Sequence, residues 1–477
     1  MNVRSGDRRL PSKSIWILLL TSVMVVISAG GSWPAELAQA VIEPPFWENE
    51  VMLWNFAEVS QACLPYEDPL WLCAARQPAP AQHDGEEVQR DCRPLEVVKL
   101  SGPEALADIA ADWERLDRLM RPRTPFSSVL WNSLWWKHYH KRGLLLEDEF
   151  LVLAVRATNG QLVAVAPLLR RFCPAIGPVR WRMIQFFGAD ASITELRGVV
   201  CAPDDQKMVL GALETHFRQA YREWDLLRWD GVLEGNDGQH HAGVLVGAPG
   251  RLPNYVVPLP ASWAELHSQV TGNFRRNMRK QRESFEQDGH VYRFRAVAGS
   301  DVAGALETLF ALHARRAQFD GMEVKHRDRF ANRVNRQFLR EYTLEMARRG
   351  SARLYELQIG GKTVASQLAF AMGGDLWLYT SGFDPQWRRY GIMTMLTVEV
   401  MQWAIASKYE RVNLSCGHDR AKMRWRPAEM AHTYFLESAP SLRGRLAMQA
   451  YATVAASRRA AVRLRGWRPS RDTNRQA

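Results

Sequence analysis

The chain of 477 residues, 47% apolar and 24% charged, is long enough for two or three domains of about 100 to 200 residues, each with a buried core. Its 10% aromatic content, with 32 Gly and 24 Pro, excludes a disordered, collagen-like or coiled-coil chain. The formal charge of +11 is concentrated at one end: Ala439 to Ala477 holds nine Arg, no Lys and the single acid Asp472, or +8, and the remainder is close to balanced.

At the amino terminus Arg4, Arg8, Arg9 and Lys13 precede the apolar run Ile15 to Ala29, and Ala38-Gln39-Ala40 follows. That is the order of a secretory signal, and the run is shorter than the roughly 20 residues of a membrane span. Residues 1–40 therefore read as a signal-like or mis-assigned leader, and 41–93, without helical or alternating periodicity, as a linker. The six cysteines, at 63, 73, 92, 173, 201 and 416, are too sparse for a disulfide framework and form no C-x-x-C pair. His138 and His140 stand two apart and so on different helix faces, and no metal is expected.

Legible elements begin at Pro94. Leu95 to Leu100 reads as a strand, Pro103 to Met120 as an amphipathic helix, and the Trp-rich Ser127 to Arg142 as a second helix. Phe150 to Arg156 and Leu162 to Leu168 form a hairpin around Asn159-Gly160. Trp181 to Phe187, a helix over Lys207 to Arg222 and the strand Trp224 to Trp229 complete a first half, 94–257. The order recurs in 258–438. Helices are expected at Trp263 to Val270 and Phe274 to Glu286, a strand at Val291 to Val297, and helices at Val302 to Gln318 and Arg333 to Arg348. A hairpin, Arg353 to Ile359 and Thr363 to Met372, turns at Gly360-Gly361 and is joined by Asp375 to Thr380, the helix Met393 to Ser407, and strands Arg411 to Ser415 and His432 to Leu436. The repetition predicts an α/β (α+β) protein of duplicated domains, each a mixed central sheet flanked by helices, rather than one large sheet, with an Arg-rich tail over 439–477.

Two segments carry chemistry. After the strand Leu376 to Thr380 the chain passes through Arg388-Arg389-Tyr390-Gly391 into a helix, whose first amides are unpaired and face the positive dipole end: an anion cradle. In the helix from Phe274, the residues Phe274, Met278 and Phe285 share one side, while Arg275, Arg279 and Arg282 form an adjoining ridge with Arg276 and Lys280. A solvated face is the default for such a ridge, but five cations in eight residues repel one another, which makes an anionic ligand the functional reading.

The stretch from about Leu95 to Leu436 resembles the general N-acetyltransferase (GNAT) superfamily in its tandem, FemAB-like form, and within it the CelD-type cellulose-biosynthesis proteins. The resemblance is carried by Pro125-Phe126-Ser127-Ser128, Phe274 to Lys280, Gly360-Gly361-Lys362, Tyr390-Gly391-Ile392-Met393 and Gly417 to Trp425. It implies an N-acyltransferase using acetyl-CoA, with aminoacyl-tRNA as the other donor found among tandem relatives. The donor would be held by Trp377, Leu378, Arg388, Arg389, Tyr390, Gly391, Ile392 and Met393, the last standing where the family has a small residue. Tyr379, Ser415 and Asp419 are the implied catalytic residues, and Arg275, Arg279, Lys280, Lys422 and Trp425 the substrate-binding ones. Each has a plainer reading: Tyr379 as packing, Asp419 as a cap, Lys422 as a surface lysine, Cys416 as a packed thiol beside His418, Glu356 as an outward charge. The first half lacks the cradle, its counterpart Pro203 to Met208 being acidic, and reads as a non-catalytic copy.

The expected function is acylation of an amino group on a sugar, peptide or envelope or exopolysaccharide precursor, linked to cellulose biosynthesis. A catalytically silent scaffold of an exopolysaccharide synthase at the inner membrane is the alternative. Partners are a small-molecule, glycan or peptide acceptor, and peripheral membrane or polysaccharide-synthase association. Nucleic acid is not expected, since no aromatic platform is interleaved with the Arg tail. Thioester chemistry points to the cytoplasm, against the signal-like start.

Overall fold

The computed structural model describes residues 94–452, apart from 174–179, 190–192, 234–241, 247–248 and 320–326. The leader, the linker and residues 453–477 of the Arg-rich tail lie outside the described residues. Among the described residues no helix is long and apolar enough to cross a membrane.

In the first half, strands β1 (Leu95–Lys99), β2 (Glu147–Ala157), β3 (Leu162–Cys173) and β4 (Trp181–Phe186) follow one another antiparallel. Helices α1 (Ala110–Leu119) and α2 (Val129–Tyr139) connect β1 to β2. The helix expected from Pro103 is split: Pro103–Leu106 makes one 3-10 turn and α1 starts only at Ala110. Ser128 caps α2, its hydroxyl accepting from the Trp131 amide, and so sets the start two residues inside the expected one. After β4 come the short β5 (Val200–Cys201), α3 (Gln206–Thr215), β6 (Leu226–Leu233), β7 (Val244–Leu245) and β8 (Gly250–Pro258).

The second half runs through α4 (Trp263–Gln269), α5 (Gly272–Gln287), β9 (Tyr292–Val297), α6 (Val302–Gln318), α7 (Arg333–Arg348), the hairpin β10 (Ala352–Ile359) and β11 (Lys362–Met372), and β12 (Asp375–Phe383). It closes with α8 (Ile392–Ala406), β13 (Arg411–Cys416), the one-turn α9 (Arg420–Met423) and β14 (Ala428–Ser438).

Both halves share one path: a run of antiparallel strands, then one parallel step, β4 to β6 in the first and β12 to β13 in the second. The expectation of two separate sheets is corrected. The strands form a single sheet in the order β1-β2-β3-β4-β6-β14-β8-β13-β12-β11-β10-β9. The cause is a reciprocal exchange. The strand that ends the first half, β8, pairs with β13, and the strand that ends the second, β14, pairs with β6, while β8 and β14 pair with each other. Each half thus has its last ladder completed by the other.

The sheet is covered on both faces. One apolar layer joins the halves, with Phe126 and Trp131 from the first packed on Phe338, Tyr342, Trp377 and Tyr379 from the second. The opposite face of the second half packs α5 and α8 against Leu376, Leu378 and Leu414. Alternation along β12 therefore sends Trp377 and Tyr379 to the shared layer and Leu376 and Leu378 to the other.

Candidate functional site

The opening in the sheet originates in β13. It pairs with β12 only at Asp375 with Arg411, Leu376 with Val412 and Trp377 with Asn413, and then leaves it. The buried Asn413 accepts the Ser415 amide through Oδ1 at 2.8 Å, so that amide is satisfied locally instead of by β12. Ser415 itself adopts φ 72, outside the strand region, and β13 continues on β8 only through a bulge that pairs Cys416 with Asn254. Beyond Trp377, the β13-facing backbone of β12 has no ladder partner on β13, which opens a slot at the carboxyl end of the parallel pair, where α/β sheets characteristically bind ligands.

Lys422 locks the β13 side of the slot. Its ammonium donates to the carbonyls of Ser415 at 3.3 Å, Cys416 at 2.6 Å and Gly417 at 3.0 Å. Burial lowers its pKa, with the charges of Glu195, Cys416 and Asp419 acting the other way. The expected substrate contact is corrected to a structural one, because all three ammonium donors have internal acceptors. Replacing it, Lys422→Met, is expected to lower stability by about 2–3 kcal/mol by orphaning those carbonyls, measured by denaturant unfolding.

The other expected residues separate into engaged and open ones. Tyr379 is buried and its hydroxyl donates to the Ile193 carbonyl at 2.8 Å, so it is a packing and anchoring group and not a free acid. Trp425 is buried edge-on against Phe274, with centroids 5.2 Å apart, which removes it from substrate contact. Arg275 donates from Nη1 to the carbonyls of Ser268 at 2.7 Å and Val270 at 2.9 Å, finishing α4, and it also lines the groove between α4, α5 and α8. Asp419 is exposed and caps α9, accepting from the Ala421 amide at 2.8 Å. Glu356 is not an outward charge: it is buried, 3.5 Å from Arg295 on β9, and burial raises its pKa. Ser415 is at the slot and half-exposed.

The strand-to-helix corner is built as the spacing suggests, with one difference. Pro385–Tyr390 forms a 3-10 turn, Gly391 takes the left-handed conformation at φ 64, and α8 begins without a side-chain cap. Its first amides, at Ile392 and Met393, have no intrahelical partner. Arg388 is exposed, while Arg389 pairs with Asp288 at 3.0 Å. The corner is not open, however. The Gln281 side chain of α5 lies against Gly391, where a Cβ would collide with it, and its Oε1 is closed to solvent without a hydrogen-bond partner. Tyr390 is buried edge-on to Phe285 at 5.3 Å and so holds the corner from below instead of meeting a ligand. Met393 is half-buried among the residues packed under α5. Beside the corner, α4, α5 and α8 line a groove of about 670 Å³ that includes Arg276, Arg279, Arg282 and Gln281; Lys280 is exposed and outside its lining. The residues fit a diphosphate on free amides with basic side chains near, provided that Gln281 turns aside.

On the other side of the slot the structure gathers residues that the sequence reading did not connect. Glu195, in the connection between β4 and β5, reaches from the first half to Ser415, Trp377 and Lys422. Arg329, after α6, acts electrostatically on Glu195, His313 and Arg316. Arg316 donates to the Ser381 hydroxyl at 3.4 Å, and burial lowers its pKa against the opposing charge of Asp419. His313 lies 3.2 Å from Asp328, yet burial and Arg329 bring its pKa down to about 4, so it is neutral at neutral pH. Cys416 is a poor nucleophile, since burial and Glu195 push its thiol well above its ordinary range.

No curated protein matches the chain in sequence. Among solved structures the chain is similar to a conserved protein of unknown function from Bacteroides thetaiotaomicron VPI-5482, at 13% identity and TM-score 0.39, over 72% of this chain and 100% of that one. It is also similar to FemX, at 9% identity and TM-score 0.39, over 63% and 94%. A tandem GNAT protein from the clavulanic acid biosynthesis pathway aligns at 12% identity and TM-score 0.38, over 73% and 100%. Similarity at this level carries no information about substrate. The segment that builds the slot and the corner, residues 272–423, matches the family model described as "Acetyltransferase (GNAT) domain", and the chain is an enzyme of the N-acyltransferase kind.

Proposed function

We propose that the second half transfers an acyl group from an acetyl-CoA-type thioester to an amino group of a small-molecule, glycan or peptide acceptor, the class that includes envelope and exopolysaccharide precursors and, with them, cellulose biosynthesis. The observation that supports it is the coincidence, inside the GNAT match, of a parallel pair that separates after Trp377 with an uncapped helix start nine residues beyond the end of that strand. In this reading the amides of Ile392 and Met393 and the Arg388 side chain hold the diphosphate, with Arg276, Arg279 and Arg282 beside it. The unpaired backbone of β12 from Leu378 onward orients the arm of the donor, and buried Trp377 and Tyr379 keep the slot wall dry. When bound, the thioester supplies an activated carbonyl carbon and a thiol leaving group. Aminoacyl-tRNA is the alternative donor, and the silent scaffold the alternative role.

Calorimetry with acetyl-CoA tests this. The wild type is expected to bind and Gly391→Val to lose affinity roughly tenfold or more, because a β-branched residue resists a positive φ and meets Gln281. A melting profile on both proteins separates lost binding from lost folding. No heat with the wild type at millimolar acetyl-CoA removes the thioester reading and leaves the scaffold or the aminoacyl-tRNA donor, which a transfer assay with charged tRNA divides.

A further inference from the structure

We propose that Glu195, carried by the first half, is the proton acceptor for the amine at the slot in the second half; this rests on the acyl-transfer reading above. Geometry supports it in three ways. First, β4 and β12 are counterparts, each followed by the parallel step, but the chain leaves β12 through a tight corner, whereas in the connection between β4 and β5 residues 193 and 195 lie against the other half. Secondly, that connection is pinned where it crosses: Tyr379 donates to the Ile193 carbonyl at 2.8 Å, and Trp131 Nε1 donates to the Thr194 hydroxyl at 3.1 Å, so both residues before Glu195 are tied to the shared aromatic layer. Thirdly, the Glu195 carboxyl is brought to Ser415, Trp377 and Lys422, and its Oε2 is closed to solvent without a hydrogen-bond partner.

A buried carboxylate with an unpartnered oxygen is costly unless something uses it. Burial raises its pKa, while Ser415, Lys422, Arg329 and Trp377 act against the rise without cancelling it. A carboxylate whose pKa is raised is a stronger base than an exposed one. Chemically, the ammonium of the acceptor gives one proton to Glu195. The freed lone pair forms the C–N bond as the C–S bond breaks, and the sulfur departs with the bonding pair. It takes up the second proton released from nitrogen and leaves as the thiol, and Glu195 returns its proton to solvent. The first half is then part of the site and not an inert copy.

The test compares the full-length wild type with Glu195→Gln and Glu195→Asp, assayed by thiol release from acetyl-CoA in the presence of amine acceptors, by calorimetry with acetyl-CoA and by thermal melting at pH 5 and pH 8. Glu195→Gln is expected to bind acetyl-CoA as the wild type does, to lose roughly 10²- to 10⁴-fold in kcat, and to lose the acidic limb of the pH profile, with partial recovery in Glu195→Asp. Because the folded-state pKa is raised, the ionised carboxylate disfavours the fold above its ordinary pKa, and that penalty disappears as pH falls. Glu195→Gln is therefore expected to melt at or above the wild-type temperature at pH 8, with the difference closing at pH 5. A variant that keeps kcat and the pH limb, or one that loses activity only in proportion to a lower melting temperature, overturns the proposal. Failure of the wild type itself to bind or turn over acetyl-CoA overturns instead the acyl-transfer reading on which it rests.

Discussion

Residues 94–258 and 259–452, produced as separate polypeptides, are each expected to fail to fold, and to recover a native sheet only when produced together. In a tandem protein of two independent sheets the cut after Pro258 would fall in a harmless linker. Here it leaves β8 on one piece and its neighbours β13 and β14 on the other. The first piece loses β14, so β6 exposes its whole inner edge over 226–233. The second loses β8, so both β13 and β14 expose theirs. Long unpaired edges beside apolar surface favour aggregation. The cut also uncovers the layer in which Phe126 and Trp131 face Phe338, Tyr342, Trp377 and Tyr379. Burial of such side chains is worth about 1.5–3 kcal/mol each, so the aromatic group alone rivals the net stability of a domain, about 5–15 kcal/mol. Cooperative melting of each piece alone, followed by circular dichroism and amide exchange, would contradict this; a two-chain complex with wild-type exchange protection in β6, β8, β13 and β14 would support it.

The same exchange explains what the sequence could and could not reveal. Helices with a clear period lie within a residue or two of expectation: α6 over Val302–Gln318 and α7 over Arg333–Arg348 coincide with it, α5 extends it slightly at both ends, and α8 is shifted by one residue. Local periodicity suffices there because each helix is defined by its own stripe. Strand β8 was not legible. Its run Arg251-Leu252-Pro253-Asn254 has the composition of a linker, and a proline inside a central strand is rare. It is tolerated because Pro253 lies beside the bulge of β13, where the Gly417 amide bonds its carbonyl at 3.1 Å. That partnership spans more than 150 residues and leaves no local trace. The separation of β13 from β12 has a local cause: Asn413, two places before Ser415, is enough to turn the strand aside. Glu195 carried no signal of its own. The signal that could have found it is the contrast in length between the connection 187–205 in the first half and the tight corner 384–391 in the second. Spacing shows that Trp425, Arg275 and Lys422 are near loops, but not that a ring engages Trp425 or that carbonyls accept from Arg275 and Lys422.

Trp131→Ala is expected to lower stability by about 3–5 kcal/mol and to abolish turnover even where the protein remains folded. The ring is fully buried, edge-on to Phe126 and Phe338 at 4.8 Å and to Tyr342 at 4.7 Å, so truncation leaves a void among rigid aromatic neighbours that cannot collapse into it. Two of those neighbours belong to α7 and one to the segment before α2, so the void lies between the halves. Its second effect runs through Nε1, which donates to Thr194 at 3.1 Å. Losing that bond frees the connection that carries Glu195, and catalytic geometry is more sensitive to small displacement than stability is. Trp131→Phe separates the two effects. Most of the packing is retained, so the loss of stability should fall well below that of the alanine variant, whereas the bond to Thr194 is still absent. Tyr379→Phe removes the neighbouring tie, to the Ile193 carbonyl, with the ring kept. Both conservative variants are expected to lose more in kcat than in KM and to show a weakened acidic limb in the pH profile, measured beside denaturant unfolding. Equal losses of stability and kcat, with the pH profile unchanged, would reduce Trp131 and Tyr379 to packing and detach the first half from the chemistry of the second.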